Sequence, residues 1–280
     1  MMKDRSRLYV AARAIIVAMA LIAVLVPFLY LFLNSVKIER EFRSIPLRII
    51  PSVVTLQYYA DIFGRGGQLG SYLLNSIIVT LVVVVVSVFT GALAAFGLAK
   101  LRRMYRFIAL AVYLILLVRF YPKVVMLIPY FILMRDLHLL DTLAAVIIAH
   151  SSIGIPFVVW LMIGFYEEIP IELEESAMLD GCDVWRRFTR VIFPVVLPGI
   201  ATAAIMTAVL SWNEFLIASS VVSINAKTLP VLVSGYISDK GINWGPMSAT
   251  SVVIIVPMFV FVLFTQKYLI RGLTFGAVKG

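Results

Sequence analysis

Three charged side chains lie inside long apolar stretches of this sequence, where a charge is costly unless it faces a polar surface. They are Arg119, Lys123 and Glu214. Arg119 and Lys123 are four residues apart, so on a continuous helix they would share a face, although Pro122 between them could bend that geometry. Such residues are expected to face the interior of a helix bundle or water, where two cations would attract an anion. The alternative is that both cations extend to the outer edge of the apolar layer.

The sequence lacks the motifs of common catalytic and metal sites. It has no G-x-x-x-x-G-K-[ST] phosphate loop, so any ATP chemistry would need another chain. No His, Cys and carboxylate residues share a metal-ligand spacing, and the single cysteine, Cys182, excludes an intrachain disulfide. Acidic residues are nearly absent from the apolar stretches, which does not support a proton relay. We therefore expect no catalytic residue, metal or cofactor in this chain.

The composition is that of an integral membrane protein. Hydrophobic residues make up 62% of the 280 positions and charged residues 14%, whereas soluble domains carry about 25% charged residues. The net charge of +9 would also fit nucleic-acid binding, but Lys and Arg collect in the cytoplasmic loops of membrane proteins. We interpret the charge as a topology signal and expect no nucleic-acid partner.

Six segments are long and apolar enough to cross a bilayer, whose ~30 Å core needs about 20 helical residues. They are residues 12–34, 71–99, 105–133, 141–165, 199–222 and 249–270. The first is too long for the apolar part of a typical signal peptide and lacks a cleavage site, so we predict an uncleaved helix. Proline and glycine interrupt several of the later spans, which favours a transporter over a simple anchor. The predicted fold is all-α, with residues 1–280 forming one six-helix transmembrane domain.

Clusters of Lys and Arg near the span ends indicate the orientation. They lie before the first span, in the link at 100–106, in the loop at 166–198 and after the last span. An even number of spans places all four clusters on one side, which we predict to be the cytoplasm, together with both termini. The first external loop, 36–70, opposes this assignment because it is also basic, but it carries acidic residues as well.

The loop at 166–198 is predicted to form two short amphipathic helices at an angle. Pro170 suits the first turn of a helix, and Gly181 suits the left-handed residue that ends one. Asp183 suits the N-cap of a second helix, which we expect Pro194 to stop. A helix lying on lipid is the alternative, but the acidic first half would be repelled by anionic headgroups, so docking to a protein fits better.

The pattern Glu175-Ser176-Ala177, Gly181, Val191 and Phe193-Pro194 resembles the "EAA" loop of ATP-binding cassette importer permeases. Ser176, Val191 and Phe193 depart from the usual Ala, Ile and Leu. The resemblance implies a type I importer permease fold in which cytoplasmic coupling helices dock into a cleft of an ATPase. The residues that it assigns to this contact are Glu174, Glu175, Ser176, Ala177, Asp180, Gly181 and Pro194.

Further stretches resemble carbohydrate importer permeases, and most closely the maltose-type second permease subunit. They are YYADIF at 58–63, PYFILMRDLHLLDT at 129–142, EIPIELEESAMLDG at 168–181, SWNEFLIA at 211–218 and GLTFGAVKG at 272–280. The resemblance implies that the C-terminal tail, 271–280, reaches toward the ATPase dimer through Gly272, Leu273, Thr274, Gly276, Lys279 and Gly280. The candidate translocation path is Arg119, Tyr121, Lys123, Asn213, Glu214 and Asn75. For Asn213 and Glu214, the resemblance implies a place in this path or in a network that stabilises the bundle.

The implied complex is an importer in a bacterial or archaeal cytoplasmic membrane. Its other parts are a second homologous permease, two ATPase subunits that bind ATP and Mg²⁺, an extracytoplasmic solute-binding protein and a sugar-like solute. An anionic sugar or polyol phosphate remains open as the solute. A six-span scaffold or enzyme is a second class of function, but it would need neither the loop nor the tail. A secondary transporter would usually need more spans and inverted repeats, and neither is visible.

Overall fold

Helices dominate the computed structural model. It describes residues 2–64, 69–105, 107–239 and 241–275. The side chains of residues 2–8, 103, 104, 116, 118–120 and 270–275 are not described. The helices are α1 (Met2–Ser35), α2 (Gln57–Phe63), α3 (Leu69–Met104), α4 (Ile108–Phe120), α5 (Lys123–Asp136), α6 (Leu143–Glu167), α7 (Ile171–Leu179), α8 (Val184–Arg186), α9 (Phe193–Trp212), α10 (Leu216–Val221), α11 (Leu229–Ser234) and α12 (Trp244–Phe275). A 3-10 turn covers Glu39–Arg43, and strands β1 (Ile237–Ser238) and β2 (Gly241–Ile242) pair antiparallel.

Five stretches of helix in the described residues are long and apolar enough to span a membrane. They are Tyr9–Ser35, Leu69–Arg102, Leu143–Glu167, Val184–Trp212 and Trp244–Leu269. They lie on five of the six predicted spans. The all-α membrane fold is therefore confirmed, although its third span is built differently from the prediction.

The third predicted span, 105–133, is not one helix. Helix α4 ends at Phe120, and α5 begins at Lys123 after Pro122, whose ψ of 120° is extended. Proline has no N–H and disfavours a helical conformation at the residue before it, which explains the break here. Pro129, Pro156 and Pro257, by contrast, lie inside the helices α5, α6 and α12. Of these four prolines, Pro122 is therefore the one that interrupts a helix.

The expectation that Pro194 stops a helix is wrong. Helix α8 passes through a π-helical segment, Arg187–Ile192, directly into α9, so that Pro194 occupies the first turn of α9. The hydrogen bonds of a π-helical turn join residues five apart. Proline is tolerated in the first turn of an α-helix because the N–H that it lacks has no partner within the helix there. The fifth predicted span, 199–222, is instead divided at Asn213–Phe215, between α9 and α10.

The chain divides into two compact units. The first comprises Met1–Gly70 and Val233–Pro257. In it, the loop after α1 folds around Lys37, which is fully buried and whose Nζ donates to Asn34 Oδ1 at 2.9 Å and to the carbonyl of Arg48 at 2.7 Å. The buried Glu41 accepts hydrogen bonds from the backbone N–H and hydroxyl of Ser52. Part of the basic charge of the loop at 36–70 thus serves to fold the loop itself.

The second unit comprises Ser71–Leu232 and Met258–Gly280, and its core is built on small residues of α3. Ala92, Ala95 and Ala99 are buried against α6, and a Cβ on Gly91 would lie 2.7 Å from the Cβ of Val158. Small side chains let two helices approach closely where lipid provides no hydrophobic driving force. A second cluster joins the start of α3 to α5, α6 and α10.

Candidate functional site

The segment 170–194 contains the helix α7, a turn at Gly181 and a capped second helix, in the order predicted from its sequence. Helix α7 starts after Pro170, and Gly181 has φ +76°, a left-handed conformation that side chains with a Cβ rarely adopt. No atom lies within 4 Å of the place where a Cβ on Gly181 would stand, so conformation alone requires glycine there. Asp183 accepts a hydrogen bond from the N–H of Arg186 at 2.7 Å, as expected of an N-cap. The predictions for Gly181 and Asp183 are confirmed, whereas Pro170 is the N-cap and lies one residue before the first turn in which it was predicted.

One side of this segment is exposed and combines acidic with large apolar groups. Glu175, Ser176, Asp180 and Pro194 are exposed, whereas Ala177 is buried. Leu179 is 89% exposed and Trp185 is 64% exposed, on the two sides of the Gly181 turn. Isolated exposed apolar residues are ordinary, but large ones before and after a fixed turn indicate a contact surface. We call the exposed residues Glu175, Met178, Leu179, Asp180, Val184 and Trp185 the docking face.

Glu174 of this segment pairs with two cations, Lys100 of α3 and Arg187 of the π-helical segment. Lys100 Nζ donates to Glu174 Oε1 at 2.8 Å, and Arg187 Nη1 lies 3.6 Å from the same oxygen. The Glu174 side chain is 16% exposed and that of Arg187 is 8% exposed, so this pairing is largely shielded from water. Glu174, predicted to contact a partner, therefore binds within its own chain. No local sequence pattern predicts this pairing, because Lys100 and Glu174 are 74 positions apart.

The predicted tail lies partly beyond the described residues. Gly272, Leu273 and Thr274 belong to the last turn of α12, and Gly276, Lys279 and Gly280 lie outside the described part of the chain.

A second polar group of side chains surrounds Glu214, at the break between α9 and α10. Its carboxylate accepts hydrogen bonds from the N–H groups of Ile217 and Ala218 at 3.0–3.3 Å, which caps α10. Lys123 Nζ lies 3.5 Å from Oε1, and His150 Nε2 lies 3.4 Å from Oε2. The other ring nitrogen of His150 is 3.0 Å from Ser211 Oγ. The predicted residues Lys123 and Glu214 are thus brought together, and His150, which was not among the candidate path residues, joins them.

The remaining predicted path residues are distributed more widely. Tyr121 is 51% exposed and lies between α4 and α5. Asn213 donates to the carbonyl of Val209 at 2.8 Å, and Asn75 donates to the carbonyls of Asn225 and Lys227 at 2.9 and 3.0 Å. Both amides therefore support their own surroundings. Arg119 lies near the end of α4, with its side chain outside the description, and the helix break at Pro122 removes the continuous helix that was to join it to Lys123.

Asp141, which the sequence did not single out, fixes the loop after α10. Its carboxylate accepts hydrogen bonds from the N–H groups of Ser223, Ile224, Asn225 and Ala226 at 2.9–3.3 Å. Burial raises the pKa of Asp141, but these backbone N–H groups outweigh it and hold the pKa well below the usual range. The sequence feature that could have drawn attention to Asp141 is the Asp-Thr pair before α6, since Thr142 is the N-cap of that helix.

The sequence matches the family of binding-protein-dependent transport system inner membrane components over residues 87–274. The chain belongs to this family. The permease is 35% identical to the sulfoquinovosyl glycerol transport system permease protein SmoH of Agrobacterium fabrum, over 96% of this chain and 93% of that protein. It is 34% identical to the trehalose transport system permease protein SugB of Mycobacterium tuberculosis, over 91% of this chain and 93% of that protein.

Solved structures show the same fold. The permease resembles a chain in the crystal structure of a bacterial ABC transporter involved in the import of the acidic polysaccharide alginate, with a TM-score of 0.75 and 22% identity, over 94% of this chain and 96% of that one. The family match and the relatives make the chain a transport component of a binding-protein-dependent ATP-binding cassette importer, an inner-membrane multi-pass protein that works with partner ATPases and a solute-binding protein. Within the described residues, no three His, Cys, Asp or Glu side chains could together hold a metal ion.

Proposed function

We propose that this permease forms half of the translocation path for a sugar or sugar derivative and couples to the ATPase through its docking face. The other half of the path is a second homologous permease. The names of SmoH, SugB and the diacetylchitobiose uptake system permease protein DasC of Streptomyces coelicolor, which is 30% identical over 82% of this chain and 83% of that protein, support a carbohydrate solute.

The observation that carries the coupling proposal is the pair of exposed apolar side chains, Leu179 and Trp185, beside the left-handed Gly181. Burying such side chains on a partner is favourable at about 25 cal/mol per Å² of apolar surface. Glu175 and Asp180 add carboxylates that suit Arg or Lys side chains of an ATPase. The same acidic groups disfavour an anionic lipid surface as the partner.

The orientation that we propose for the chain in the membrane follows from the docking face. It faces the cytoplasm if ATPases bind it, and both termini then lie on that side too. In this arrangement the tail at 271–280 extends toward the ATPase dimer, whose subunits bind the ATP and Mg²⁺. The basic residues near Lys100 agree with this orientation through the positive-inside rule.

The proposed path contains Arg119, Tyr121, Lys123, Asn213, Glu214 and Asn75, the candidates taken from the sequence. The polar group around Glu214 supports the central part of this set, because polar side chains inside membrane segments generally line pathways. The amides of Asn213 and Asn75 give weaker support, since both already bind carbonyls of their own chain.

An anionic solute is the second candidate, and the name of SmoH favours it because a sulfoquinovosyl group carries a sulfonate. Lys123, however, lies beside Glu214, which compensates its charge. Replacing Arg119 with Gln distinguishes the two solutes when the uptake of matched neutral and anionic sugars is measured. A loss confined to the anionic sugar supports the second candidate, and an equal effect on both sugars removes it.

The coupling proposal is tested by purifying the permease with the permease, ATPase and binding protein encoded beside it, and measuring solute-stimulated ATPase activity in nanodiscs. Leu179→Asp should abolish the stimulation and weaken retention of the ATPase. Ser176→Ala, which restores the usual family residue, is the matched control and should leave both unchanged. Full stimulation with Leu179→Asp would overturn the proposed docking face.

A further inference from the structure

Two cavities in the second unit meet at Lys123. The first has a volume of about 140 Å³ and is lined by Lys123, His150, Phe157, Thr207, Ser211 and Glu214 among others. The second has a volume of about 190 Å³, and its lining includes Tyr121, Lys123, Tyr130, Ser152 and Ile217. Each is smaller than the roughly 300–1,000 Å³ of sites for drug-sized molecules, so each suits a group of about one sugar ring.

The first cavity is lined by buried polar atoms that lack a hydrogen-bond partner. Among the described residues, Thr207 Oγ1 has no hydrogen-bond partner, and His150 Nε2 makes no direct hydrogen bond but lies 3.4 Å from Glu214 Oε2. His150 is 3% exposed and Thr207 is 1% exposed. Buried polar groups are nearly always satisfied, so two such atoms at one cavity indicate a polar occupant.

The chemistry around the two cavities matches a polyhydroxylated ring. A sugar hydroxyl both donates and accepts, and the lining offers a carboxylate that accepts, an ammonium that donates and an imidazole and hydroxyls that do either. Tyr121 and Tyr130 add aromatic surface in the second cavity, where the apolar face of a sugar ring could pack. The opposite charges of Lys123 and Glu214 compensate each other, so these residues give no preference for an anion.

On the basis of the proposed sugar transport, we propose that this subunit has its own saccharide site, with Thr207, His150, Ser211 and Glu214 binding the hydroxyls of one neutral ring. Tyr121 and Tyr130 contact the neighbouring part of the solute. Sugar recognition in the complex is then shared by this chain and not left to the second permease. Thr207, His150, Ser211 and Tyr130 become binding residues in addition to the candidate path residues taken from the sequence.

The test compares two threonines in the complete, purified transporter. Thr207 lines the first cavity and its Oγ1 has no hydrogen-bond partner among the described residues, whereas the exposed Thr90 donates to the carbonyl of Val86 at 2.6 Å on its own helix. Binding of glucose, maltose, trehalose and cellobiose is measured by saturation-transfer NMR, with uptake of the same sugars by cells measured in parallel. Thr207→Val should raise the Kd of the best-bound sugar about fivefold, as expected for one lost hydrogen bond, and Thr90→Val should not change it.

Thr207→Ser keeps the hydroxyl and should keep the wild-type Kd, which separates binding from packing. If Thr207→Val fails to fold, Ser211→Ala removes another hydroxyl of the same cavity and should raise the Kd in the same way. Equal Kd values for the wild type, Thr207→Val and Thr90→Val, with uptake intact, would overturn the saccharide site and leave the proposed function standing. The absence of both binding and uptake for every neutral sugar would overturn the site and the proposed neutral-sugar transport together.

Discussion

At the scale of single residues, Asp141 has the clearest structural role. One carboxylate satisfies the N–H groups of four consecutive residues, 223–226, and so fixes the loop that follows α10. Replacing Asp141 with Ala should lower the stability of the purified permease by about 1–3 kcal/mol, because these donors lose a charged acceptor. Thermal unfolding in detergent measures the loss. Asp136→Ala, at an exposed carboxylate paired with Arg135, is the matched control and should have little effect.

The contribution of Asp141 should also depend on pH. Its folded pKa is lowered, so the unfolded chain binds the proton more tightly, and the stabilisation is complete well above the ordinary Asp value of about 4. It is lost as the pH falls below that value toward the folded pKa. The difference in unfolding temperature between wild type and Asp141→Ala should therefore shrink on acidification from pH 6 to pH 3. A difference that stays constant over this range would contradict the assigned role.

Gly181 is the residue at which backbone conformation alone limits substitution. A left-handed φ costs a residue with a Cβ roughly 1–2 kcal/mol, and more when the side chain is branched at Cβ. Gly181→Val should reduce ATPase retention or coupled transport, since it reorients Leu179 and Asp183 around the turn. Gly164→Val is the control, because Gly164 also has open space around it but lies within α6 without a positive φ. Normal assembly and uptake with Gly181→Val would refute the requirement.

At the scale of elements, ion pairs connect α3 to the segment that carries the docking face, and we call this group of charges the clamp. We expect it to transmit motion between the membrane helices and the docking face. It consists of Lys100, Glu174 and Arg187. Glu174→Gln leaves the buried Arg187 and the partly exposed Lys100 without a carboxylate, so we expect it to lower coupled transport more than basal ATPase activity. The ratio of solute uptake to ATP hydrolysis in proteoliposomes measures this.

Charge reversal separates coupling from simple packing. The double variant Lys100→Glu with Glu174→Lys should recover part of the uptake that either single variant loses. Arg102→Gln is the matched control, since Arg102 pairs with Glu167 at 2.8 Å but both side chains are more than a third exposed. Equal losses for Arg102→Gln and Glu174→Gln would show that the clamp has no special part in coupling.

Helix ends that depend on the backbone preferences of a few adjacent residues could be predicted from the sequence. Helix ends that depend on packing against other parts of the fold could not. The Gly181 turn and the Asp183 cap follow from backbone preferences within a few residues. Pro194 was expected to end a helix, yet the π-helical segment before it lets the helix continue. The break at Pro122, which does divide a helix, carries the same sequence signal as the unbroken positions in α6 and α12.

At the scale of the whole molecule, composition and span length were sufficient for the fold class. Hydrophobic runs separated by basic links predicted a polytopic all-α protein, and the family match confirms it. The site was only partly predictable, because its contacts join distant positions. Lys123, His150 and Glu214 come from three different helical regions, and no local pattern relates their spacing. Pairing of Lys100 with Glu174 is a second contact of this kind.

The single native cysteine allows the most direct test of the central claim, that the segment around Gly181 docks on the ATPase. Cys182 is free and partly exposed, next to the left-handed turn. A maleimide–diazirine reagent attached to Cys182 in membranes that contain the whole transporter is photolysed, and the cross-linked chain is identified by mass spectrometry. The account predicts a cross-link to the ATPase subunit, absent when Cys182 is replaced by Ser. Cross-linking to lipid or to the solute-binding protein, with none to the ATPase, would contradict it.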